Sequence, residues 1–414
     1  FTGLCGLATE AWHIAVLRFV ASLGMGGEWS LGVALVNELW PGKSRALVAG
    51  LIGAAANVGF LAVGLLSLGM TNFISGIESV MLAVGFREVW VDKLLANSGW
   101  RFLMISGAFP AILIFFIRLF VPESAKWEEE KERGATSHWA KTDLFGVLVG
   151  CLAALVIIAV WSPDGSAFLK QKMPENAVNL LSIGITLAGL GVALGGFLFP
   201  VWKYLERARS SGSLAAGSEW TVIRYMMVGA ALAGVAMLGT WGSIQWAAKW
   251  AFELQPDPAS HAKEYTQIAL AIGAIVGTIV AALCAGKFGR RITFVGMCLA
   301  SMGSCLLLYM GNSEFGTKFL LCIFLAGAVT ASFYGWFPLY LPELFPTSVR
   351  ATGQGFSFNF GRIIAAIGGL QTAALMAYFD GSFPKAGSVL SVIYLIGVVI
   401  IWLGPETKGR ALPE

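Results

Sequence analysis

Apolar stretches of about 20 residues or more, the length needed to cross a bilayer, recur along the whole chain between short polar loops. Hydrocarbon offers no water, so every main-chain N–H and C=O in such a stretch must be satisfied within a helix or a closed barrel. The runs are too long for barrel strands, and the chain is predicted to be an all-α polytopic membrane protein. Predicted spans are 12–38, 48–70, 100–121, 143–161, 178–202, 222–247, 265–285, 292–311, 318–341, 349–377 and 386–404. Residues 1–8 read as the tail of an earlier helix, and the start at Phe1 reads as a fragment. Charge agrees: only 13% of the 414 residues are Asp, Glu, Lys or Arg, against about 25% in soluble proteins.

Basic residues orient the spans. Alternating the loops puts 17 of the 28 Lys and Arg on one side, among them Lys43, Arg45, Lys203, Arg224, Lys287, Arg350 and Lys408. The positive-inside rule makes that side cytoplasmic, and the cell (inner) membrane is the expected location. The basic residues sit at helix ends, which gives no reason to expect a nucleic-acid partner. Cys5, Cys151, Cys284, Cys298, Cys305 and Cys322 lie in or beside apolar segments, without metal or disulfide spacing. Three histidines are too few and too scattered for a haem or metal centre. No nucleophile–base set or nucleotide loop is present, so neither an enzyme nor a cofactor is expected.

One phrase occurs twice. Glu38-Leu39-Trp40-Pro41 with Arg45, and Glu343-Leu344-Phe345-Pro346 with Arg350, lie 305 residues apart. The register extends backwards, with Ser22, Gly26 and Ser30 opposite Gly327, Ala331 and Gly335. Small residues every four positions let helices approach closely. A duplicated helix and turn indicates two homologous bundles with a site between them. Val121-Pro122-Glu123-Ser124 and Gly404-Pro405-Glu406-Thr407 form a second pair at an offset of 283. The 22-residue difference fits a long extracytoplasmic loop near 71–97. Spans 143–161 and 178–202 have no counterpart and read as an insertion. The charge run Trp127–Arg133 reads as a solvated helix, and 206–219 as a flexible link. The expected division is 1–124, an N-terminal bundle; 125–220, the cytoplasmic segment with two inserted helices; and 221–414, a C-terminal bundle.

These motifs resemble the major facilitator superfamily. Arg18-Phe19 through Gly24-Met25-Gly26-Gly27-Glu28 is similar to its fourth-helix motif, and the two turns match those after helices four and ten. Trp100-Arg101 through Glu123-Ser124 resembles the sixth helix and its exit, and Pro405-Glu406-Thr407-Lys408-Gly409-Arg410 the end of the twelfth. Gly26-Gly27-Glu28-Trp29 and Asn359-Phe360-Gly361-Arg362 look most like metabolite:proton and aromatic-acid or sialate:proton symporters. The two inserted helices resemble the fourteen-helix layout of the sialate group. The resemblance implies two pseudo-symmetric bundles, with helices one and two upstream of residue 1, and a monomer. The second loop motif is degenerate: Gly286-Lys287-Phe288-Gly289-Arg290-Arg291 carries Gly286 where the family has an acid.

Intramembrane charge is costly, so charges within spans mark function. Arg362 lies twelve residues past Arg350, about 18 Å along a helix, near mid-bilayer. It reads either as a two-pronged clamp for a substrate carboxylate or as a structural pair. Glu28 reads as a proton carrier or as a permanently paired acid. Arg18 belongs, in the resemblance, to a motif associated with proton transfer, and a structural bond is the alternative. At the 305 offset Arg18 faces Ile323, Glu28 faces Phe333 and Arg362 faces Asn57. The packing is symmetric and the charge is not, which makes the charges the better candidates for substrate or proton work, with divergence without function as the alternative. Asn359, Asn57, Trp241, Gln245 and Tyr334 are the further candidate substrate residues. Trp250, Trp336 and Tyr340 either line the cavity or sit in an interfacial belt. Glu38 with Arg45, and Glu343 with Arg350, are expected to latch helices at the cytoplasmic face, with Arg290 and Arg291 in the same gate. The reading is a secondary transporter of a small organic anion, carboxylate- or sialate-like, driven by protons. The alternatives are a carrier of neutral sugars or drug-like solutes, or a non-transporting nutrient receptor.

Overall fold

A computed structural model describes residues 1–40, 44–120, 125–132, 134, 138–210 and 218–413; the side chains of 71–72, 110, 118, 126, 130, 218, 258 and 367–374 are also outside the description. The expected exit motif Val121–Ser124, Lys43 and Arg133 fall outside the described residues.

The N-terminal helices are α1 (Ala11–Leu39), α2 (Arg45–Leu68), α3 (Met70–Ala83), α4 (Glu88–Ser106) and α5 (Leu113–Phe120). α6 (Ala125–Glu132) carries the acidic run. α7 (Leu144–Trp161), α8 (Pro163–Lys170) and α9 (Glu175–Ser210) form the insertion. The C-terminal helices are α10 (Ser218–Ser243), α11 (Ala247–Leu254), α12 (Ala262–Phe288), α13 (Arg290–Gly311), α14 (Thr317–Thr330), α15 (Phe333–Tyr340), α16 (Thr347–Tyr378), α17 (Phe383–Ser391) and α18 (Tyr394–Ile400). Nine helical segments among the described residues are long and apolar enough to cross a membrane, and each coincides with a predicted span.

Three expectations change. The supposed loop at 71–97 is mostly α3 and the start of α4, because its apolar residues recur at helical spacing. The span 100–121 is broken: Asn97, Ser98 and Gly99 adopt left-handed backbone inside α4, and α5 has eight residues. Residues Gly3–Leu7 form a 3-10 turn packed on α4, with Arg101 donating to the carbonyls of Gly6 and Ala8.

Glycine sets how the layers meet. α2 lies along α12, where a Cβ at Gly50 would come within 2.9 Å of Ile279 Cα, and one at Gly64 within 3.1 Å of the Ile268 side chain. α12 in turn lies against α14 and α15, with Gly277 against the Ala328 carbonyl and Gly335 against the Thr278 carbonyl. α16 packs on α10, where Gly361 faces Ala233 and Gly234. The main core, containing Phe294, Phe333, Trp336, Phe337, Phe345 and Tyr394, belongs to the C-terminal bundle.

The insertion is a hairpin. Gly146 and Gly196 each face the other's carbonyl across α7 and α9, and Trp161 Nε1 donates to Thr186 Oγ1 at 2.8 Å. Only the far end of α9 enters the main core, through Val201, Tyr204, Leu205 and Ala208. Trp139 stacks on Tyr204, and Arg207 pairs with Asp143 in front of α7.

Candidate functional site

The site begins at an interruption. α14 stops at Thr330, and α15 restarts at Phe333 as a short helix containing Pro338. The interruption presents Tyr334 to the first helix of the C-terminal bundle. Trp241 Nε1 donates to the Tyr334 hydroxyl at 2.8 Å. Phe60 of α2 lies 6.1 Å from Trp241. On the other side of Tyr334, Phe358 approaches edge-on at 6.5 Å, and Phe358 stacks on Trp29 of α1 at 3.8 Å. Five rings from α1, α2, α10, α15 and α16 thus form one run bridging the N-terminal and C-terminal helices.

Arg362 caps this run. Its guanidinium lies over Phe358, 4.9 Å from the ring centroid, a cation–π arrangement. Nη1 donates to Asn359 Oδ1 at 3.2 Å. Asn359 is held in turn, since its Nδ2 donates to Gly26 O of α1 at 2.8 Å and to Gly355 O at 2.9 Å. Half-buried Arg362 has no carboxylate partner among the described residues.

Two further amides tie α1 to the C-terminal bundle towards the basic end. Gln354 Nε2 donates to Ser30 O at 2.5 Å. Asn37 Nδ2 donates to Pro338 O at 3.0 Å. Local sequence explains that acceptor: residue 342 is proline, so it has no N–H to return to the Pro338 carbonyl one turn back. Asn37 supplies the missing donor from the other bundle. Asn37 Oδ1 and Gln354 Oε1 remain buried without partners.

At the basic end the acid–arginine pairs form across the bundles, not within each turn as the sequence suggested. Arg350 Nη1 pairs with Glu38 Oε1 at 2.5 Å, and Arg45 Nη1 lies 3.7 Å from Glu343 Oε1. The two turns abut, so that each acid meets the opposing turn's cation. Arg290 grips Glu343 with two bonds, Nε to Oε2 at 2.9 Å and Nη2 to Oε1 at 2.6 Å, and Thr407 Oγ1 donates to Oε2 at 2.6 Å. Arg350 is fully buried and also donates to the carbonyls of Pro342, Phe345 and Pro413. The acid that Gly286 lacks is supplied from elsewhere. Glu406 accepts from the main-chain N–H groups of Arg290 and Arg291, at 3.0 and 3.1 Å, beside Gly289 at φ +100°. Burial raises the Glu406 carboxyl, but bonds from the N–H groups of Arg290, Arg291 and Lys408 outweigh it and hold the group below its ordinary value. Arg291 itself donates to Gly404 O.

The remaining candidates divide. Asn57 is buried on α2, bonded to Gly53 O one turn back; a Cβ on Gly53 would stand 2.7 Å from Tyr334 O, so α2 and α15 touch there. Arg18 and Glu28 are exposed, and their side chains make no hydrogen bond or ion pair among the described residues. Glu28 lies about 160° around α1 from Ser30 at 100° per residue, off the seam with α16. Gln245 is exposed on the 3-10 turn Ile244–Trp246 and joins none of the ring contacts. Trp250 packs against Tyr309 and Phe319 in a second core cluster. Trp336 is buried with Nε1 on Arg290 O, and Tyr340 is buried with its hydroxyl on Pro405 O. These three are core residues, not cavity lining. The sequence reading missed Trp29, Phe358, Gln354 and Asn37. The four-residue Pro338–Pro342 spacing is the signal that would have pointed to Asn37's acceptor.

The Sugar (and other) transporter family matches residues 1–144 and 256–414. The putative metabolite transport protein of Haemophilus influenzae is 24% identical over 420 residues, covering 100% of this chain and 78% of that protein. The probable 4-methylmuconolactone transporter of Cupriavidus pinatubonensis is 24% identical over 415 residues, covering 100% and 73%. The solved proton:xylose symporter of the major facilitator superfamily, bound to 6-bromo-6-deoxy-D-glucose, shares the fold at a TM-score of 0.54 and 17% identity over 96% of this chain and 72% of that one. The chain therefore belongs to the sugar (and other) transporter family of the major facilitator superfamily, and it is a multi-pass membrane transporter, not an enzyme.

Proposed function

We propose that the chain moves a small organic anion across the cell (inner) membrane as a monomer, by proton symport and alternating access. The observation that carries this reading is Arg362, a half-buried intramembrane cation paired with neutral Asn359 and no acid among the described residues. A cation in a low-dielectric setting is costly unless paired, and a bound carboxylate supplies the missing charge in two-pronged geometry. The neighbouring rings of Phe358, Tyr334 and Trp241 suit the flat, unsaturated body of such an acid. The relative named for 4-methylmuconolactone supports the same class. Glu28, next in sequence to Trp29 at the end of the ring run, is the proposed proton carrier, with Arg18 as its partner in that step. The crossed pairs Glu38–Arg350 and Arg45–Glu343, with Arg290 and Arg291, form the gate that parts at the basic end.

Proteoliposome uptake tests this. Arg362→Ala is expected to lower carboxylate uptake at least 100-fold with insertion unchanged, and Arg362→Lys to retain a fraction of it. Normal uptake by Arg362→Ala removes the clamp. Glu28→Gln is expected to keep counterflow and lose pH-driven accumulation; continued accumulation by that variant moves the proton site elsewhere. A neutral pentose competing as well as a carboxylate favours the sugar-carrier reading.

A further inference from the structure

Two sequence motifs, Gly26-Gly27-Glu28-Trp29 on α1 and Asn359-Phe360-Gly361-Arg362 on α16, meet across the bundles. Gly26 and Trp29 are about one turn apart on α1 and share a face. Each supports a residue that holds Arg362. Gly26 O accepts from Asn359 Nδ2 at 2.8 Å, and Asn359 Oδ1 accepts from Arg362 Nη1 at 3.2 Å. The Trp29 ring stacks on Phe358 at 3.8 Å, with 9° between the planes, and the Arg362 guanidinium lies 4.9 Å from the Phe358 centroid. Phe358 and Asn359 precede Arg362 by four and three residues, the spacings at which helical side chains meet. Asn359 is the one hydrogen-bond partner of the Arg362 side chain among the described residues.

Both supports depend on the seam between α1 and α16. The two helices run antiparallel along it. It passes from the Glu38–Arg350 pair at the basic end, by Ser30 with Gln354 and Gly355, to Gly26 with Asn359. Contact is close, since a Cβ at Gly355 would stand 2.9 Å from Ser30 Oγ. From Glu38 to Gly26 is about 18 Å along α1. When the gate parts at Glu38–Arg350 and the opening reaches Gly26, Phe358 loses its stacked partner. Asn359 then keeps only its bond to Gly355 O, one turn back on its own helix. Buried Asn57 shows such an amide without a partner in the other bundle: among the described residues its Nδ2 donates only to Gly53 O of its own helix. A carboxamide has two N–H groups. With the seam closed, Asn359 commits both to main-chain carbonyls and has none to spare for a substrate.

We propose that Asn359 is a positioning residue, with the Trp29–Phe358 stack as a second support, that fixes the Arg362 guanidinium while the basic end is closed and frees it when that end opens. The inference rests on the reading of Arg362 as the carboxylate clamp. A fixed guanidinium meets a carboxylate at less entropic cost than a mobile one. An anion therefore binds more tightly from the far side and leaves at the basic end. By linkage, an anion on Arg362 favours the closed seam.

The first test needs no substrate. The full chain in mild detergent is treated with phenylglyoxal, whose adduct joins both terminal nitrogens of a guanidinium, and each arginine is followed by peptide mass spectrometry. In the wild type Arg362 is expected to react slowly, and Arg350, fully buried at the other end of the seam, not at all. Asn359→Ala is expected to speed Arg362 modification at least about fivefold while Arg350 stays protected. Trp29→Ala should act in the same direction by a smaller factor, and Trp29→Phe should restore the slow rate. Ser30→Trp wedges the seam and is expected to expose both arginines, with Asn37→Leu and Glu38→Gln together as the milder variant. An Asn359→Ala protein whose Arg362 stays slow overturns the proposal. So does equal exposure of Arg350 in that variant, which makes Asn359 a seam residue and no more. In proteoliposomes, Asn359→Ala is expected to raise KM for a carboxylate entering from the far side at least about tenfold and to leave KM from the basic side within about twofold. Equal rises on both sides overturn the state dependence. Normal uptake by Arg362→Ala removes the clamp and leaves the modification rates as they stand, so the two failures are distinct.

Discussion

Glu38 and Glu343 end helices related by a 305-residue offset, and Arg45 and Arg350 follow them at the same spacing. Their surroundings differ. Glu343 takes two bonds from Arg290 and one from Thr407 before Arg45 approaches it at 3.7 Å. Arg350 has no exposed surface and donates to Glu38 and three main-chain carbonyls. Arg45 keeps a buried Nε without a partner. The helices before the turns differ too. Gly335 presses against Thr278, whereas a Cβ at Gly26 would meet nothing within 4 Å. Among the described residues the C-terminal turn carries the denser side-chain bonding, and in the proposed gate it is the anchor from which the N-terminal copy parts. Duplicated sequence thus gives related turns with unequal bonding, which suits the proposed gate, where one side holds its form while the other moves.

Removing the anchor should have the largest effect. Arg350→Ala takes the cation from the Glu38 carboxylate and the donor from three carbonyls, and is expected to cost about 3–5 kcal/mol, read as a large fall in the midpoint of thermal unfolding in detergent. A small effect would mean that the closed end is not held there. Next come the glycines. Gly335→Ala forces α12 and α15 apart and should cost about 1–3 kcal/mol, while Gly26→Ala should gain up to about 1 kcal/mol from helix propensity. Equal losses at both positions would break the contrast. Because Arg290 and Thr407 already bond Glu343, Arg45→Ala should lower the unfolding midpoint far less than Arg350→Ala and raise transport rate by loosening the proposed gate. A loss as large as that of Arg350→Ala would make the two turns equivalent. The smallest effect is acid dependence at the corner beside the anchor. Glu406 is held below its ordinary value of 4.5 when folded, so its contribution is fully present above that pH and fades as pH falls through the lower folded value. The difference in unfolding midpoint between wild type and Glu406→Gln should therefore shrink below about pH 4.5; a constant difference would show that the main-chain bonds to Arg290 and Arg291 do not act through its charge.

Legibility followed the physics of each signal. Spans were readable because a bilayer imposes one length and one polarity on every crossing. The broken stretch near Asn97–Gly99 was missed, since apolar content continues across a backbone reversal. Arg362 and Asn359 were found together because mid-span polarity is costly wherever it occurs. Trp29 and Phe358 escaped notice because an aromatic residue in an apolar helix has the same hydropathy whether it faces lipid, core or another bundle. Asn37 escaped because its partner is a carbonyl freed by a proline 305 residues further along.

The sequence alone determined the membrane-spanning helical class, the duplication and the identity of the costly charges, because those rest on composition, length and spacing along one chain. Tertiary structure decided which acid meets which arginine, which rings join across the bundles, and which glycines are close-packed. Those outcomes depend on how two helical layers abut, and residues hundreds of positions apart are matched by shape and charge that no local pattern encodes.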